Sequence, residues 1–142
     1  MHAAKTVPEI LPWSQLYSVG VCNFDGHHRE LARLINEFHE AMSNGRSQEI
    51  LDYVLTRLIR YAHDHFKAEE DVLQAHAYPG LEVHKVEHRE FLKTVRHFQQ
   101  GFLAGKAMPN IDVMVFLRDW FSKHTQGTDQ KYAPFLKERG VV

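Results

Sequence analysis

Residues 51–73 constrain this chain more than any other stretch. At about 100° per residue, Leu51, Val54, Leu55, Leu58, Ala62 and Val72 fall on one side of a helix. His65 and Glu69 fall in the middle of that apolar stripe. His63 projects about 160° away from His65 and reads as a surface residue. A carboxylate on a buried face must be paired, protonated or bound to metal, because desolvation penalises its charge. A buried His–Glu hydrogen bond would satisfy this helix on its own. The choice between that reading and a metal site rests on the other helices.

The rest of the chain repeats the helical period. Asp25 can cap a first helix carrying Leu31, Leu34, Ile35, Phe38 and Met42 inward, which Asn44 and Gly45 end. Ser47 is placed to cap the second helix, with Ile50 as its first apolar residue; it runs to about His76, before Tyr78, Pro79 and Gly80. A third begins near Leu81, carries Phe91, Leu92, Val95, Phe98 and Phe102 on one face, and stops at Gly105. Pro109 and Asn110 start the fourth, with Val113, Leu117, Trp120 and Phe121 inward, finishing near Arg139 and Gly140. No segment alternates as a strand would. Residues 1–24 hold Pro8, Pro12 and Gly20, and read as an extended arm whose Trp13, Leu16 and Tyr17 dock on the body. The expected fold is all-α: an antiparallel up-down-up-down four-helix bundle with an extended N-terminal arm. It forms a single domain over 1–142, with the arm at 1–24 and the bundle at 25–139.

Composition narrows the function. With 142 residues the chain can bury a real core, and a net charge of −1 with mixed signs argues against nucleic acid or an anionic membrane as partner. Cys22 is the single cysteine, which excludes an intramolecular disulfide and a thiolate cluster; a packed small side chain is expected there. No apolar run reaches the roughly 20 residues of a membrane span, and the N-terminus lacks a secretory pattern, so a cytoplasmic monomer is expected. Eleven histidines are the one compositional anomaly.

Five of those histidines, His65 among them, fall on or near the apolar faces. His28 lies near the stripe of the first helix; His84 and His88, four apart, align with Phe91, Val95 and Phe102; His124 aligns with Val113, Leu117 and Trp120. His97 projects off its face. Each alone reads as a satisfied core or surface histidine, but four helices aiming imidazole or carboxylate into one layer is a pattern suited to metal. Asp129, five residues past His124, sits about 140° off the inward direction of a regular helix. One extra residue in a turn, a π-bulge eased by Gly127, would bring it inward together with Tyr132 and Leu136. A bulge or break between His124 and Asp129 is therefore predicted.

In order, His28, then His65-Phe-Lys-Ala-Glu69, His84-Lys-Val-Glu-His88 and His124-Thr-Gln-Gly-Thr-Asp129 resemble the ligand series of the hemerythrin family, in its single-domain bacterial form. The lead-in, with Trp13, Tyr17, Gly20, Phe24 and Asp25, is similar too, and the likeness covers nearly the whole chain. It implies that His84, His88 and His124 hold one iron and His28 and His65 the other, with Glu69 and Asp129 bridging. Two departures stand out. His27 occupies a position where the family usually has glutamine, and helical phase does not separate it from His28; only the spacing from Asp25 favours His28. Phe121 is bulkier than the leucine many relatives have, which affects pocket volume.

The implied cofactor is two iron ions with a bridging oxo or hydroxo group, and dioxygen as ligand. Two octahedral irons offer twelve positions; five histidines, two bridging carboxylates and the bridging oxygen fill eleven, leaving one, on the iron with two histidines. The resemblance thus implies reversible dioxygen binding for storage, transport or delivery, not an enzyme, with an oxygen-consuming enzyme as the recipient to test. Phe24, Phe66, Trp120 and Phe121 are candidates for a dry pocket lining. The competing readings are a di-iron enzyme acting on peroxide or nitric oxide, and oxygen scavenging or sensing. The Glu-x-x-His motifs of carboxylate-rich di-iron oxygenases are absent.

Overall fold

The computed structural model describes residues 8–106 and 110–142, and every described regular element is helical. Four long helical columns form the antiparallel bundle: α1 (Cys22–Ser43), α2 (Ser47–Ala75), α3 (Leu81–Leu103), and a fourth built from α4 (Asn110–Lys123), a π-helical turn (His124–Thr128) and α5 (Asp129–Glu138). Pro109, expected at the start of the fourth column, lies outside the described residues. No helix among the described residues is long and apolar enough to cross a membrane.

Local chemistry explains the boundaries, not always as expected. Helix α1 begins three residues before Asp25, so Cys22 is exposed at its first turn instead of packed. Asp25 lies inside that turn and reaches back to the arm, accepting from the Ser18 hydroxyl at 2.6 Å and the Val19 amide at 2.8 Å. Gly20, at φ +75°, supplies the left-handed residue that folds the arm onto the helix start. Gly45, at φ +69°, ends α1 as expected. Ser47 is the first residue of α2 and does not cap it; its buried hydroxyl accepts from Asn110 Nδ2 at 2.7 Å, tying the starts of α2 and α4 together.

The arm docks through several further contacts, and Gln130 Nε2 donates to its Ser18 carbonyl at 3.0 Å. Asn36 pairs with the Leu11 backbone as a strand neighbour would, accepting from its amide at 2.8 Å and donating to its carbonyl at 3.0 Å. Trp13 is half-buried under Arg29, whose guanidinium sits 4.7 Å from the indole centroid. Tyr17, in a 3-10 turn (Gln15–Tyr17), is buried against Phe121 at 4.9 Å. Leu16 points outward, 68% exposed, because that turn can present only one of two neighbours to the body.

The core divides in two. One cluster, from Leu31, Ile35, Phe38, Leu51, Leu55, Leu58, Phe91, Val95 and Leu117 among others, fills most of the bundle. A smaller one joins Val19, Val21, Phe24, Leu73, Tyr132 and Leu136. Each fully buried side chain of this kind contributes about 1.5–3 kcal/mol. Every helical column runs from one cluster to the other and carries its polar residues at the crossing. Between α3 and α4 the seam is filled by rings, Phe91 with Trp120 at 4.4 Å and Phe98 with Phe116 at 5.9 Å.

Candidate metal centre

The layer between the two cores contains His28, His65, Glu69, His84, His88, His124 and Asp129, all at most 2% exposed. Helix α1 supplies the first, α2 the next two and α3 the His84–His88 pair on one face. The fourth column supplies His124 and Asp129.

Asp129 is there because of the predicted π-turn. Its amide bonds to the His124 carbonyl five residues back, and the phase shift also buries Tyr132 and Leu136. Polar groups hold this distortion. Thr125 Oγ1 donates to the Phe121 carbonyl at 2.6 Å, and Gln130 Nε2 donates to the Thr125 carbonyl at 3.0 Å. Gly127 lies within the helical run without a left-handed φ and has open space where a Cβ would sit, so it is not what permits the turn.

The two carboxylates are each shared between two sets of imidazoles. Glu69 Oε1 faces His84 Nε2 at 2.5 Å and His88 Nε2 at 3.1 Å, while its Oε2 faces His65 Nε2 at 3.3 Å. Asp129 Oδ1 faces His84 Nε2 at 3.2 Å and His124 Nε2 at 3.0 Å, while its Oδ2 faces His28 Nε2 at 3.1 Å. Glu69, His84, His88 and His124 offer ligand atoms close enough for one metal ion, and His28, His65 and Glu69 for another. His28 Nε2 and both Asp129 oxygens lie within ion-pair range yet make no properly directed hydrogen bond among the described residues. Such buried polar atoms are costly unless something else occupies their lone pairs. A nitrogen-rich donor set with orphaned carboxylate oxygens fits a cation.

The electrostatics of the chain alone point the same way. Burial opposes charge on His84, but the neighbouring Asp129 and Glu69 carboxylates outweigh that and raise it to about 9. His124 is raised to about 10 against its burial, by Asp129 and then Glu87. Asp129 and Glu69 are held well below the usual carboxylate range by these imidazoles, despite full burial. Burial is the larger effect on His65, whose pKa is lowered, and on His27, which is lowered as well. Protons on imidazoles thus balance the two buried carboxylates where a cation would do so more directly.

A ring of outer groups completes the site. Tyr132 donates to Glu69 Oε2 at 2.8 Å, its phenol kept protonated mainly by burial. Nδ1 of His88 bonds Glu70 at 2.7 Å, Nδ1 of His124 bonds Glu87 at 3.1 Å, and Thr128 Oγ1 donates to Glu87. Nδ1 of His28 bonds the Tyr17 carbonyl at 3.2 Å, which gives the arm a part in the site. His27 is half-buried with its Nδ1 2.7 Å from Nδ1 of His65, outside the layer that His28 enters. Sequence reading missed Glu70, Glu87 and the bond made by Tyr132; the only available signal was that the two glutamates adjoin Glu69 and His88. Of the four aromatics, Phe66 stacks flat on His88 at 3.8 Å, Trp120 stacks on His124 at 4.3 Å, and Phe24 meets His65 edge-on at 5.8 Å. Phe121 packs on Tyr17 in the larger core. His63 and His97 are exposed, as their phase predicts.

Fold and site together define a class: a four-helix bundle with a buried histidine–carboxylate layer able to hold cations. The family profile described as hemerythrin HHE cation binding domain matches residues 19–136, and the chain belongs to this hemerythrin family. It is 34% identical over 112 residues to a bacteriohemerythrin of Methylococcus capsulatus, covering 79% of this chain and 85% of that one. It is 26% identical to a myohemerythrin of Theromyzon tessulatum, over 89% of this chain and 93% of the relative. A crystal structure of wild-type hemerythrin superposes with a TM-score of 0.80 at 29% identity, covering 88% and 96% of the two chains.

Proposed function

We propose that this protein binds dioxygen reversibly at a non-heme di-iron centre. His84, His88 and His124 hold one iron, His28 and His65 the other, and Glu69 and Asp129 bridge them. The observation that carries this reading is the division of each carboxylate, one oxygen toward each imidazole set. Family membership and the names of its relatives support it. Bound there, the iron pair supplies the electrons that reversible dioxygen binding requires. The protein's own contribution is positional and electrostatic. Five Nε2 atoms and two split carboxylates are pre-set in a layer closed from both ends by apolar cores, and Tyr132 fixes the Glu69 oxygen that faces His65. Phe24, Phe66 and Trp120 flank the imidazoles with apolar ring surface, with Phe121 behind Tyr17. Delivery to an oxygen-consuming enzyme is the role proposed for the bound gas.

The test is the visible spectrum of anaerobically reduced, iron-quantified protein as oxygen is added and then removed. Two irons per chain and a charge-transfer band that appears and vanishes over repeated cycles are expected. A band that forms once and decays to a ferric species with released peroxide would favour an enzyme. Absence of iron would overturn both.

A further inference from the structure

Four of the five buried imidazoles have a defined partner on the nitrogen facing away from the layer. Three of those partners are acidic or carbonyl oxygens: Glu70, Glu87 and the Tyr17 carbonyl. The fourth, on His65, is another imidazole, His27, reaching across from α1 with Nδ1 to Nδ1 at 2.7 Å. With Glu69 Oε2, which lies 3.3 Å from the inner Nε2, taken up as a metal ligand, the remaining neighbours of the His65 ring do not choose between its two edges. Tyr61 lies along its face at 5.3 Å and 24°, and Phe24 meets it edge-on at 5.8 Å. Turning the ring over exchanges nitrogen for carbon and leaves those ring contacts equivalent. Only a directed hydrogen bond distinguishes the two orientations and fixes the tautomer.

We propose that His27 is the positioning residue of His65: its Nδ1 accepts the proton carried on His65 Nδ1, which leaves the Nε2 lone pair of His65 aimed at the metal shared with His28. The complementary proton of His27 then sits on its own Nε2. This rests on the di-iron reading above. The location adds a consequence. His27 and His65 both line an open groove of about 250 Å³ with Glu30, Arg57, Tyr61 and Asp64, so this is a place where solvent approaches a metal ligand. A His65 that turns over there presents carbon to the metal and lets groove water compete. The iron held by His28 and His65 is therefore the one whose retention depends on His27, while the other is backed by Glu70 and Glu87.

Two substitutions separate the hydrogen bond from mere space-filling. His27→Leu keeps bulk and removes the acceptor; His27→Asn loses bulk but places an amide oxygen where Nδ1 was. Protein loaded with two irons is challenged anaerobically with a chelator, and iron loss per chain is followed with time. His27→Leu should release one iron about 10–100-fold faster and the other at the native rate. His27→Asn should stay within about threefold of native, since it restores the acceptor. The proposal is overturned if both irons leave His27→Leu at native rates, if both leave equally faster, or if the Asn form behaves like the Leu form. Fewer than two irons in the native protein would instead overturn the di-iron reading and this inference with it.

Discussion

The two halves of the buried layer are built to different standards. Around His84, His88 and His124, two outer nitrogens meet carboxylates, and two rings are sandwiched on Phe66 and Trp120. Around His28 and His65 the outer partners are a backbone carbonyl from the docked arm and a neutral-leaning imidazole beside an open groove. Carboxylate partners make an imidazole a more basic ligand and fix it more strongly. One half is braced by carboxylates and the other by a carbonyl and an imidazole, although both border open grooves, at His88 and at His65. Glu69 and Asp129 are what couple them.

Breaking the coupling should have the largest effect. Glu69→Gln keeps the side-chain shape but replaces one acceptor oxygen and the charge that all three of His65, His84 and His88 face. Iron content should fall from about two per chain to near zero after desalting, with helical circular dichroism retained. Full loading of this variant would show that the halves bind independently.

Removing one ligand from each half sharpens the contrast. His28→Ala should leave the better-backed half intact and retain about one iron per chain. His124→Ala removes a ligand that Glu87 and Trp120 orient, and reduces the better-backed half to the ligand count of the weaker half; iron should then exchange freely into a chelator. Equal iron content in the two variants would erase the distinction.

Much of this layer was legible in the sequence because an inward ligand obeys the same 3.6-residue period as its apolar neighbours. Asp129 was legible only by admitting an extra residue, and Tyr132 and Leu136 supplied the evidence, since a single phase shift turns all three inward. What holds that shift was not legible. It depends on where the Gln130 amide and the Thr125 hydroxyl reach, and Gly127, the residue that suggested flexibility, proves ordinary. The outer carboxylates were hidden for a related reason. Glu70 and Glu87 lie about 100° from the inward direction of their own helices and become partners only across a helix interface. Helix starts misled at Asp25 and Ser47 because their side chains serve tertiary contacts, with the arm and with Asn110, instead of local caps.

Titration gives the next contrast. In the metal-free chain His84 and His124 are raised to about 9 and about 10, above an unfolded value near 6.5. Groups whose folded pKa is raised stabilise fully below the unfolded pKa, and that contribution is lost as pH rises through the folded one. Metal-free protein should therefore lose several degrees of Tm, on the order of 5 °C, between about pH 6.5 and 10. Iron displaces those protons, so the loaded protein should show a flatter profile over the same range, and loading at neutral pH should release protons measurable by calorimetry in buffers of different ionisation enthalpy. His65, whose pKa is lowered by burial, adds nothing to this proton release at neutral pH. A metal-free Tm that is level through that window would mean that these imidazoles are not protonated there.

The smallest effect concerns the π-turn, the one element that serves both halves by carrying His124 to the better-backed half and Asp129 to the bridge. If the turn depended on backbone freedom at Gly127, adding a side chain there would disturb both residues. The position instead lacks a left-handed φ and has nothing near its missing Cβ, so Gly127→Ala should stabilise the protein by about 0.4–1 kcal/mol by restricting the unfolded chain, with iron content unchanged. Gln130→Ala should act in the opposite direction, by about 0.5–1.5 kcal/mol, because the Thr125 carbonyl in the π-turn and the Leu16 and Ser18 carbonyls of the arm lose their amide donor. Measured by denaturant midpoints on metal-free protein, opposite signs would place the strain-bearing role on the polar clasp. Loss of iron from Gly127→Ala would return it to the glycine.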